Sequence, residues 1–341
     1  MDSASKAQAS TNAGSVAVIG AGLSGLACAR ALGEAGLHVR VFESQRSPGG
    51  RLATRRFAAA SFDHGAQYLT ANDPGFAEIL QRAEKAGAAA RWKPDWPQRN
   101  GDEALWVGVP AMAALPRYLA ARLDVEYGAR ILRIERERGG WALLDDRGAA
   151  HADFGAVVIA LPAPAAAELA AGRTPLAARA RLVPMAPCWA VMAAFDAPLA
   201  GVADAGFAGD PMLAWYARNG SKPRRDAPDS WVLHASPAWS RVEFDQSPEN
   251  VRQALLDRFS ELAGHALPRA VVTDVHRWRH ARVEAALAEP FLLDREAGIG
   301  FCGDWCLEAR AEAAWRSGTA LGAELARTRE FPASGKIRGS R

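Results

Sequence analysis

Cysteine is scarce in this chain of 341 residues, which has only Cys28, Cys188, Cys302 and Cys306. None belongs to a C-x-x-C pair or stands near a histidine at zinc-binding spacing, so the common zinc motifs are excluded and we expect no metal site. Four scattered cysteines in a chain this long favour a reducing compartment over a disulfide-stabilised secreted domain.

Neither sign of charge dominates, and no apolar run is long enough to span a membrane. The net charge is +3, and the segment 331–341 carries three basic residues and no acidic ones, which accounts for all of it. This balance does not favour a nucleic-acid partner. The first 13 residues lack the apolar core of a secretory signal. We therefore expect a cytoplasmic protein without membrane contact, with disordered ends at 1–13 and 331–341.

The glycines near the N-terminus follow an ordered pattern. A short β-branched run precedes Gly20, and Gly22 and Gly25 complete a G-x-G-x-x-G spacing. An alanine-rich helical pattern comes next, and a second apolar run ends at Glu43. A strand, a glycine turn, a helix and a second strand with a terminal carboxylate are typical of a dinucleotide-binding unit.

Each residue of this unit has an expected role. Gly20 permits the tight turn, Gly22 lets the backbone approach a pyrophosphate, and Gly25 lets the helix pack on the strand. The N–H groups at the start of the helix attract phosphates. Glu43 can accept hydrogen bonds from a ribose diol.

A second glycine site, Gly303–Asp304, stands near the C-terminus between a strand pattern and a helix pattern. An aspartate there can bind a ribityl or ribose hydroxyl, and the helix start can face a phosphate or a flavin edge. A nicotinamide dehydrogenase needs no such second site, so the two sites together favour FAD. The residues predicted to bind it are Gly20, Gly22, Leu23, Ser24, Gly25, Glu43, Ser44, Gly50, Arg51, Gly65, Ala66, Gln67, Ile131, Gly303 and Asp304.

The remaining patterns predict an α/β chain with two domains. Residues 156–161 and 298–303 indicate strands that return to the nucleotide-binding sheet, and Gly139–Gly140 indicates a hairpin turn. Strand-like runs with tryptophan recur after residue 172, together with a helix that begins at Ser247. We predict a Rossmann-like FAD/NAD(P)-binding domain (14–72, 102–172 and 291–328) and a substrate domain built on an antiparallel sheet (73–101 and 173–290).

Several strings identify a family resemblance. Gly49-Gly50-Arg51, the N-terminal glycines, Glu43 and Gly303–Asp304 together resemble the flavin-containing amine oxidase superfamily. The strings at 63–68, 215–225, 231–241, 276–279 and 303–310 are similar to bacterial members of the renalase family, in the same order. The resemblance runs from about residue 16 to 325.

The resemblance implies a reaction. It implies non-covalent FAD and oxidation of the 2- and 6-dihydro isomers of NAD(P) to NAD(P)+, with O2 giving H2O2. A dihydropyridine nitrogen can expel hydride toward flavin N5 without a base, so the protein mainly positions the ring. Two alternatives stay open: a flavin amine oxidase acting on a small amine or polyamine, and a non-catalytic flavin-binding redox sensor.

The substrate site has several candidate residues, each with a structural alternative. Asp63 and His64 either contact flavin or substrate or fix a local turn. Trp215 and Trp305 either wall a planar pocket or belong to the core. The candidates for lining the pocket are Gln67, Tyr68, His234 and Trp278, and those for binding substrate phosphates are Arg218, Arg279 and Arg310.

Two residues near the second glycine site depart from the family pattern or suggest other chemistry. Glu308 stands where the family has small residues. Cys306 raises the possibility of covalent flavin attachment, although the attachment motif of monoamine oxidases is absent and a free thiol is favoured.

Overall fold

The computed structural model describes residues 15–137, 140–225 and 228–328. The two ends predicted to be disordered and Gly139 of the predicted hairpin turn lie outside these ranges. The chain forms two compact units. Of the described residues, the first contains those in 15–50, 119–184 and 285–328, and the second contains those in 51–118 and 185–284.

The strands of the described residues are β1 Ser15–Ile19, β2 His38–Glu43, β3 Arg55–Arg56, β4 Ser61–Phe62, β5 Ala89–Trp92, β6 Leu105–Gly108, β7 Asp124–Tyr127, β8 Ile131–Glu137, β9 Gly140–Asp145, β10 Ala150–Phe154, β11 Ala156–Ile159, β12 Met185–Phe195, β13 Ala205–Phe207, β14 Leu213–Arg218, β15 Asp229–Ala235, β16 Ala270–Val283, β17 Leu292–Asp294 and β18 Ile299–Phe301.

The α-helices of the same residues are α1 Leu23–Glu34, α2 Pro74–Lys85, α3 Ala114–Ala120, α4 Ala163–Leu169, α5 Leu176–Arg181, α6 Pro237–Val242, α7 Pro248–Ala263, α8 Asp304–Leu307 and α9 Ala311–Thr328.

The first unit is built around a six-stranded sheet in the order β17-β18-β11-β1-β2-β7. Strand β1 lies parallel to both β2 and β11, and β11 lies parallel to β18. The central strands are buried on both faces, which explains why their sequences are continuously apolar rather than alternating. The predicted strands at 156–161 and 298–303 correspond to β11 and β18, and the predicted Rossmann-like α/β fold is confirmed.

Helix α9 lies very close to helix α1, and glycine makes this approach possible. A Cβ atom on Gly318 would overlap the carbonyl oxygen of Ser24, and one on Gly322 would lie 2.7 Å from the carbonyl oxygen of Cys28. Any side chain at either position would push the helices apart. The packing therefore fixes α1, whose first turn carries the glycine motif.

The second unit contains a five-stranded antiparallel sheet in the order β13-β14-β15-β12-β16. Helix α7 covers one face, where Leu255 and Phe259 pack with Trp189 and Leu233. Ser247 caps α7 by accepting a hydrogen bond from Asn250 N, as its position before the helix predicts. The predicted antiparallel second domain is thus confirmed as a fold.

The opposite face of this sheet carries polar and aromatic side chains. The register pairs His234 with Trp215 on one side and with Ala190 on the other, and Ala190 with His276. Side chains alternate along a strand, so these residues share the face away from α7. Trp278 follows two residues after His276 on the same face.

The boundaries of the units differ from those predicted from the sequence. Residues 51–72 and 102–118, predicted to lie in the cofactor domain, are grouped with the second unit. The reason is a set of buried side-chain contacts: Asp63 accepts hydrogen bonds from Met112 N and from Arg225. Residues 173–184 and 285–290, predicted in the substrate domain, belong to the first unit.

Candidate active site

The glycine turn between β1 and α1 presents an unobstructed helix start. Gly20 has φ +103° and donates from its N–H to the Phe42 carbonyl at 2.8 Å. Gly22 caps α1 without a side-chain hydrogen bond, and no described atom lies within 4 Å of a Cβ placed on it. A Cβ on Gly25 would overlap the Gly20 carbonyl oxygen. The turn therefore leaves the N–H groups of Leu23, Ser24 and Gly25 at a helix N-terminus with room for a phosphate.

Glu43 is buried beside this turn and is fixed by three donors. Its Oε2 accepts from Ala21 N at 2.9 Å, and its Oε1 accepts from Gln45 N at 2.8 Å and from Ser44 Oγ at 3.2 Å. A carboxylate has about four lone-pair sites, so acceptor capacity remains for a ribose diol. Ala129 N donates to the Glu43 carbonyl at 2.9 Å, and the buried Ile131 follows two residues later.

Two further glycine segments belong to the first unit. Gly49 N donates to Ala21 O at 2.9 Å, and a Cβ on Gly50 would lie 3.7 Å from Gly22 Cα. Gly303 precedes the buried Asp304 at the start of α8. A close-packed glycine turn, an uncapped helix and a buried acidic acceptor fit the pyrophosphate and ribose of a dinucleotide cofactor such as FAD.

Trp305 belongs to the core of the first unit rather than to an open wall. Its indole N–H donates to the Leu161 carbonyl at 3.0 Å, and its side chain is fully buried. Cys306, the next residue, is also fully buried, and burial raises the pKa of its thiol. Glu308 and Arg310 are exposed.

Asp63 is the centre of a buried network in the second unit. Its Oδ1 accepts from Thr54 Oγ1 at 2.7 Å and from Met112 N at 2.9 Å. Its Oδ2 accepts from Arg225 at 2.7 Å and from Lys222 Nζ at 3.4 Å. Burial alone would raise the pKa of this carboxyl, but the Lys222 and Arg225 cations lower it to about 2. Asp63 is therefore an ionised carboxylate with all its acceptor sites in use.

Lys222 and Arg225 place two cations against one carboxylate, with their side chains 0% and 1% exposed. Lys222 Nζ also lies 3.0 Å from Gln67 Oε1, 3.4 Å from Asn219 Oδ1 and 5.5 Å from the ring centroid of Trp92. Burial lowers the pKa of Lys222 to about 8, against the opposing effect of Asp63. The prediction of site residues from the sequence missed Lys222, Arg225 and Asn219, although all three stand in the string 215–225 that carried the family resemblance.

Gln67 has both amide hydrogens committed to the protein. Its Nε2 donates to the carbonyls of Asp63 and Gly65, the latter at 3.0 Å, and its Oε1 accepts from Lys222. Ala66 N donates to the Arg51 carbonyl at 2.9 Å, and Arg51 donates to the Ala281 carbonyl at 3.1 Å. The structure thus gives Gln67 the role of holding the 63–67 segment together.

Three histidines gather around the same segment. The His64 carbonyl accepts from His234 Nε2 at 3.1 Å and from Trp278 Nε1 at 3.0 Å. The His64 ring stacks on Trp278 at 5.0 Å and meets His276 edge-on at 4.8 Å. Burial lowers the pKa of His64 to about 3, and the pKa values of His234 and His276 to about 4. All three rings are therefore neutral at pH 7.

Tyr68 lies in an aromatic cluster on the same unit. Its ring centroid is 5.8 Å from Trp96 and 5.9 Å from Trp215, and Phe207 lies 5.0 Å from Trp215. The indole N–H groups of Trp96 and Trp215 are buried and have no hydrogen-bond partner among the described residues. The two indole N–H groups are the hydrogen-bond donors that this cluster offers to a ligand.

The candidate arginines differ in what surrounds them. Arg218 lies 3.5 Å from Asp229 and 3.7 Å from Asp204, and donates to the Leu199 carbonyl at 2.7 Å. Arg279 lies over the Phe244 ring at 4.9 Å and pairs with no carboxylate in the described part of the chain. The positive charge of Arg279 is therefore available to bind an anion, whereas two carboxylates offset the positive charge of Arg218.

The described residues contain neither a metal-binding cluster nor a membrane-spanning helix. No three metal-ligating side chains are grouped so as to hold a metal ion among the residues in the described ranges. Within the same ranges, no helix combines the length and the apolar content needed to cross a membrane.

Two family models match the sequence. Residues 18–83 match the NAD(P)-binding Rossmann-like domain, and residues 76–321 match the flavin containing amine oxidoreductase family. The first covers the glycine turn and Glu43, and the second covers most of the remaining chain.

Two curated proteins are similar over part of the chain. The sequence is 32% identical over 207 residues to the tRNA 5-methylaminomethyl-2-thiouridine biosynthesis bifunctional protein MnmC of Magnetococcus marinus, covering 46% of this chain and 31% of that protein. It is 44% identical over 69 residues to Protein FLOWERING LOCUS D of Arabidopsis thaliana, covering 19% of this chain and 9% of that protein. The chain thus spans less than a third of either relative.

Solved structures are similar over nearly the whole chain. A putative protoporphyrinogen oxidase from Exiguobacterium sp. 255-15 superposes with TM-score 0.73 at 14% identity, covering 92% of this chain and 99% of that one. A variant of putrescine oxidase gives TM-score 0.72 at 15% identity, with the same coverage. Cyclohexylamine oxidase from Brevibacterium oxydans gives TM-score 0.70 at 14% identity, again covering 92% and 99%. At these identities the likeness establishes the fold.

Proposed function

We propose that this chain, which belongs to the flavin containing amine oxidoreductase family, is a renalase-like oxidase of the 2- and 6-dihydro isomers of NAD(P). Family membership makes it an FAD-dependent oxidoreductase, so the predictions of an enzyme and of FAD are confirmed at that level. When bound, FAD would supply the acceptor for the two electrons and the hydrogen that the substrate ring loses as hydride, and reoxidation by O2, with one proton from water, would give H2O2.

In this proposal, FAD is held by residues of the first unit. Glu43 binds a ribose diol, and the N–H groups of Leu23, Ser24 and Gly25 bind the pyrophosphate. We also propose that attachment is non-covalent. The burial of Cys306, which raises the pKa of its thiol, supports this, because a flavin–cysteine bond would require an accessible thiolate.

The observation that carries the substrate assignment is the charge of the buried network in the second unit. Lys222 and Arg225 face a single carboxylate, Asp63, and that carboxylate has no free acceptor site. An amine bound beside this network would have to lose its proton, because its ammonium form would meet like charge in a medium of low dielectric constant. A neutral dihydropyridine ring meets no such penalty.

The dihydropyridine reaction also fits the protonation state of the histidines in the second unit. Its ring nitrogen supplies the electron pair that expels the hydride, and the oxidised product is aromatic, so no base is required. The rings of His64, His234 and His276 are neutral at pH 7 because burial lowers their pKa values. Tyr68 and Trp215 would contact the substrate ring, and Arg279 would bind a substrate phosphate.

A flavin amine oxidase is the second candidate, and the aromatic cluster favours it. The ring centroids of Tyr68, Trp96 and Trp215 lie within 6 Å of one another, and an aromatic ring attracts a cation to its face. Two of the structurally similar proteins are named as oxidases of amines, putrescine and cyclohexylamine.

The test is aerobic turnover of the FAD-loaded protein with 6-dihydro-NAD, measuring NAD+ and H2O2 together. We expect the two products in equal amounts. The ordinary 4-dihydro isomer is the matched control, because it has the same phosphates and carboxamide. Oxidation of putrescine or cyclohexylamine in place of 6-dihydro-NAD would assign the enzyme to the amine oxidases instead.

A further inference from the structure

The ring of His276 is fixed by Arg55, a residue 221 positions away in the sequence. Arg55 NH2 lies 3.1 Å from His276 Nδ1, and the NH1 of the same guanidinium forms an ion pair with Asp274. Asp274 and His276 stand two residues apart on β16 and therefore share one face of the sheet. Asp274, Arg55 and His276 form a short chain of hydrogen bonds.

This contact determines the tautomer of His276. A guanidinium has only donors, so His276 Nδ1 must be the acceptor and must carry no proton. Since the ring is neutral, its proton is on Nε2. Among the described residues, His276 Nε2 has no hydrogen-bond partner, so this N–H is available as a donor.

A second ring nitrogen without a partner lies in the adjacent imidazole. The His64 ring meets His276 edge-on at 4.8 Å, and His64 is nine-tenths or more buried. Its Nδ1 is buried and has no hydrogen-bond partner within the described ranges. Buried polar atoms are normally paired, so this one indicates a place for a polar group that the protein does not supply.

We propose that His276 is a specificity-determining residue, which donates its Nε2–H to the carboxamide oxygen of a nicotinamide substrate while Arg55 positions it by occupying Nδ1. The assignment rests on the proposed function and names the substrate group that the site recognises. The carboxamide oxygen accepts from His276, and the carboxamide also has both an N–H group and a second oxygen lone pair, so it can pair with Nδ1 of His64 in either tautomer of that ring. An ammonium group has no acceptor and cannot use the His276 donor.

The first test is binding of nicotinamide itself, measured by calorimetry on the oxidised, FAD-loaded protein. His276→Leu removes the donor at similar volume and should weaken binding about tenfold or more. His276→Gln keeps an N–H near the Nε2 position and an oxygen toward Arg55, and should bind within about threefold of wild type. His38→Leu, at an exposed position, is the control and should change nothing.

The second test uses the pH dependence of KM to distinguish a positioning role of Arg55 from a role in packing alone. The groups that face His276 are Arg55, Asp274 and the neutral His64. In wild type the Nε2–H persists from about pH 5 to 8, so KM for 6-dihydro-NAD should be flat across that range. In Arg55→Met the neutral His276 ring can instead keep its proton on Nδ1 and donate it to the Asp274 carboxylate, which leaves Nε2 without a proton. The Nε2 donor is then lost when the imidazolium deprotonates, so KM should rise with pH.

The outcomes distinguish this inference from the proposed function. Equal nicotinamide binding by wild type and His276→Leu would overturn the inference even if 6-dihydro-NAD is oxidised. A flat KM profile in Arg55→Met would overturn the positioning role of Arg55. Nicotinamide binding that depends on His276, without oxidation of 6-dihydro-NAD, would support the inference and reject the proposed function.

Discussion

Lys222 holds the side-chain amide of Gln67, with Nζ 3.0 Å from Gln67 Oε1, although 155 residues separate the two. The contact orients the amide, since an ammonium group can only donate and the oxygen must face it. Gln67 Nε2 is thereby directed to the carbonyls of Asp63 and Gly65. A charged network therefore fixes the segment that carries His64 and Tyr68.

Replacing Asp63 should destabilise the fold severely. Asp63→Asn leaves Lys222 and Arg225 as buried cations without a carboxylate, and removing one partner of a buried pair costs about 3–5 kcal/mol. Urea unfolding with saturating FAD measures the change. Glu78→Gln removes an exposed ion pair with Arg82 and should cost less than about 1 kcal/mol. A similar small effect for both variants would contradict the network.

Removing Glu43 should weaken FAD binding while the fold survives. A hydrogen bond to a charged group contributes about 1.5–3 kcal/mol, so Glu43→Ala should raise the Kd for FAD about 10- to 100-fold. The measurement is FAD titration of the flavin-free protein, with circular dichroism to monitor the fold. Glu34→Ala is the control, because that side chain is exposed on α1. Unchanged flavin affinity in Glu43→Ala would rule out the ribose role.

Replacement of two helical glycines by alanine should change the free energy of unfolding in opposite directions. In Gly318→Ala the new Cβ overlaps the Ser24 carbonyl oxygen, and overpacking of this kind costs about 1–3 kcal/mol. In Gly33→Ala no described atom lies within 4 Å of the new Cβ, so the higher helix propensity should stabilise by about 0.5–1 kcal/mol. Thermal unfolding of both variants measures the difference. Equal effects would show that α9 does not press on α1.

Stability should fall as the pH drops below neutral. The pKa values of His234 and His276 are lowered to about 4, so between about pH 6.5 and 4 the unfolded chain binds protons that the folded chain does not. The free energy of unfolding therefore decreases with falling pH in that window. Urea unfolding at about pH 7 and 4.5 tests this. His276→Gln should show a smaller decrease than wild type, and an equal decrease would contradict the lowered pKa.

Most of the features that could be predicted from the sequence belong to local sequence patterns. The glycine turn, α1 and Glu43 lie within one βαβ unit, where spacing alone determines which backbone groups meet. The charged network could not be predicted in this way, because Asp63 and Lys222 are 159 residues apart. The His276 tautomer likewise depends on Arg55, which only the packing of β16 brings near.

The arginines show a second limit of sequence patterns. Arg218 and Arg279 are both basic residues in strings that carry the family resemblance, and nothing local distinguishes them. In the structure Arg218 lies between Asp204 and Asp229, whereas Arg279 stacks on Phe244. The sequence identifies arginines that are candidates for phosphate binding. Only the tertiary contacts show which of these arginines already has its charge offset by carboxylates.

In the proposed reaction the flavin is reduced by a dihydronicotinamide isomer and not by an amine. The most direct measurement is anaerobic mixing of the FAD-loaded protein with 6-dihydro-NAD, and separately with putrescine. The flavin absorbance then reports reduction of the flavin by each compound. We expect rapid bleaching by 6-dihydro-NAD alone. Bleaching by putrescine alone would contradict it in favour of an amine oxidase, and bleaching by neither would contradict it in favour of a flavin-binding redox sensor.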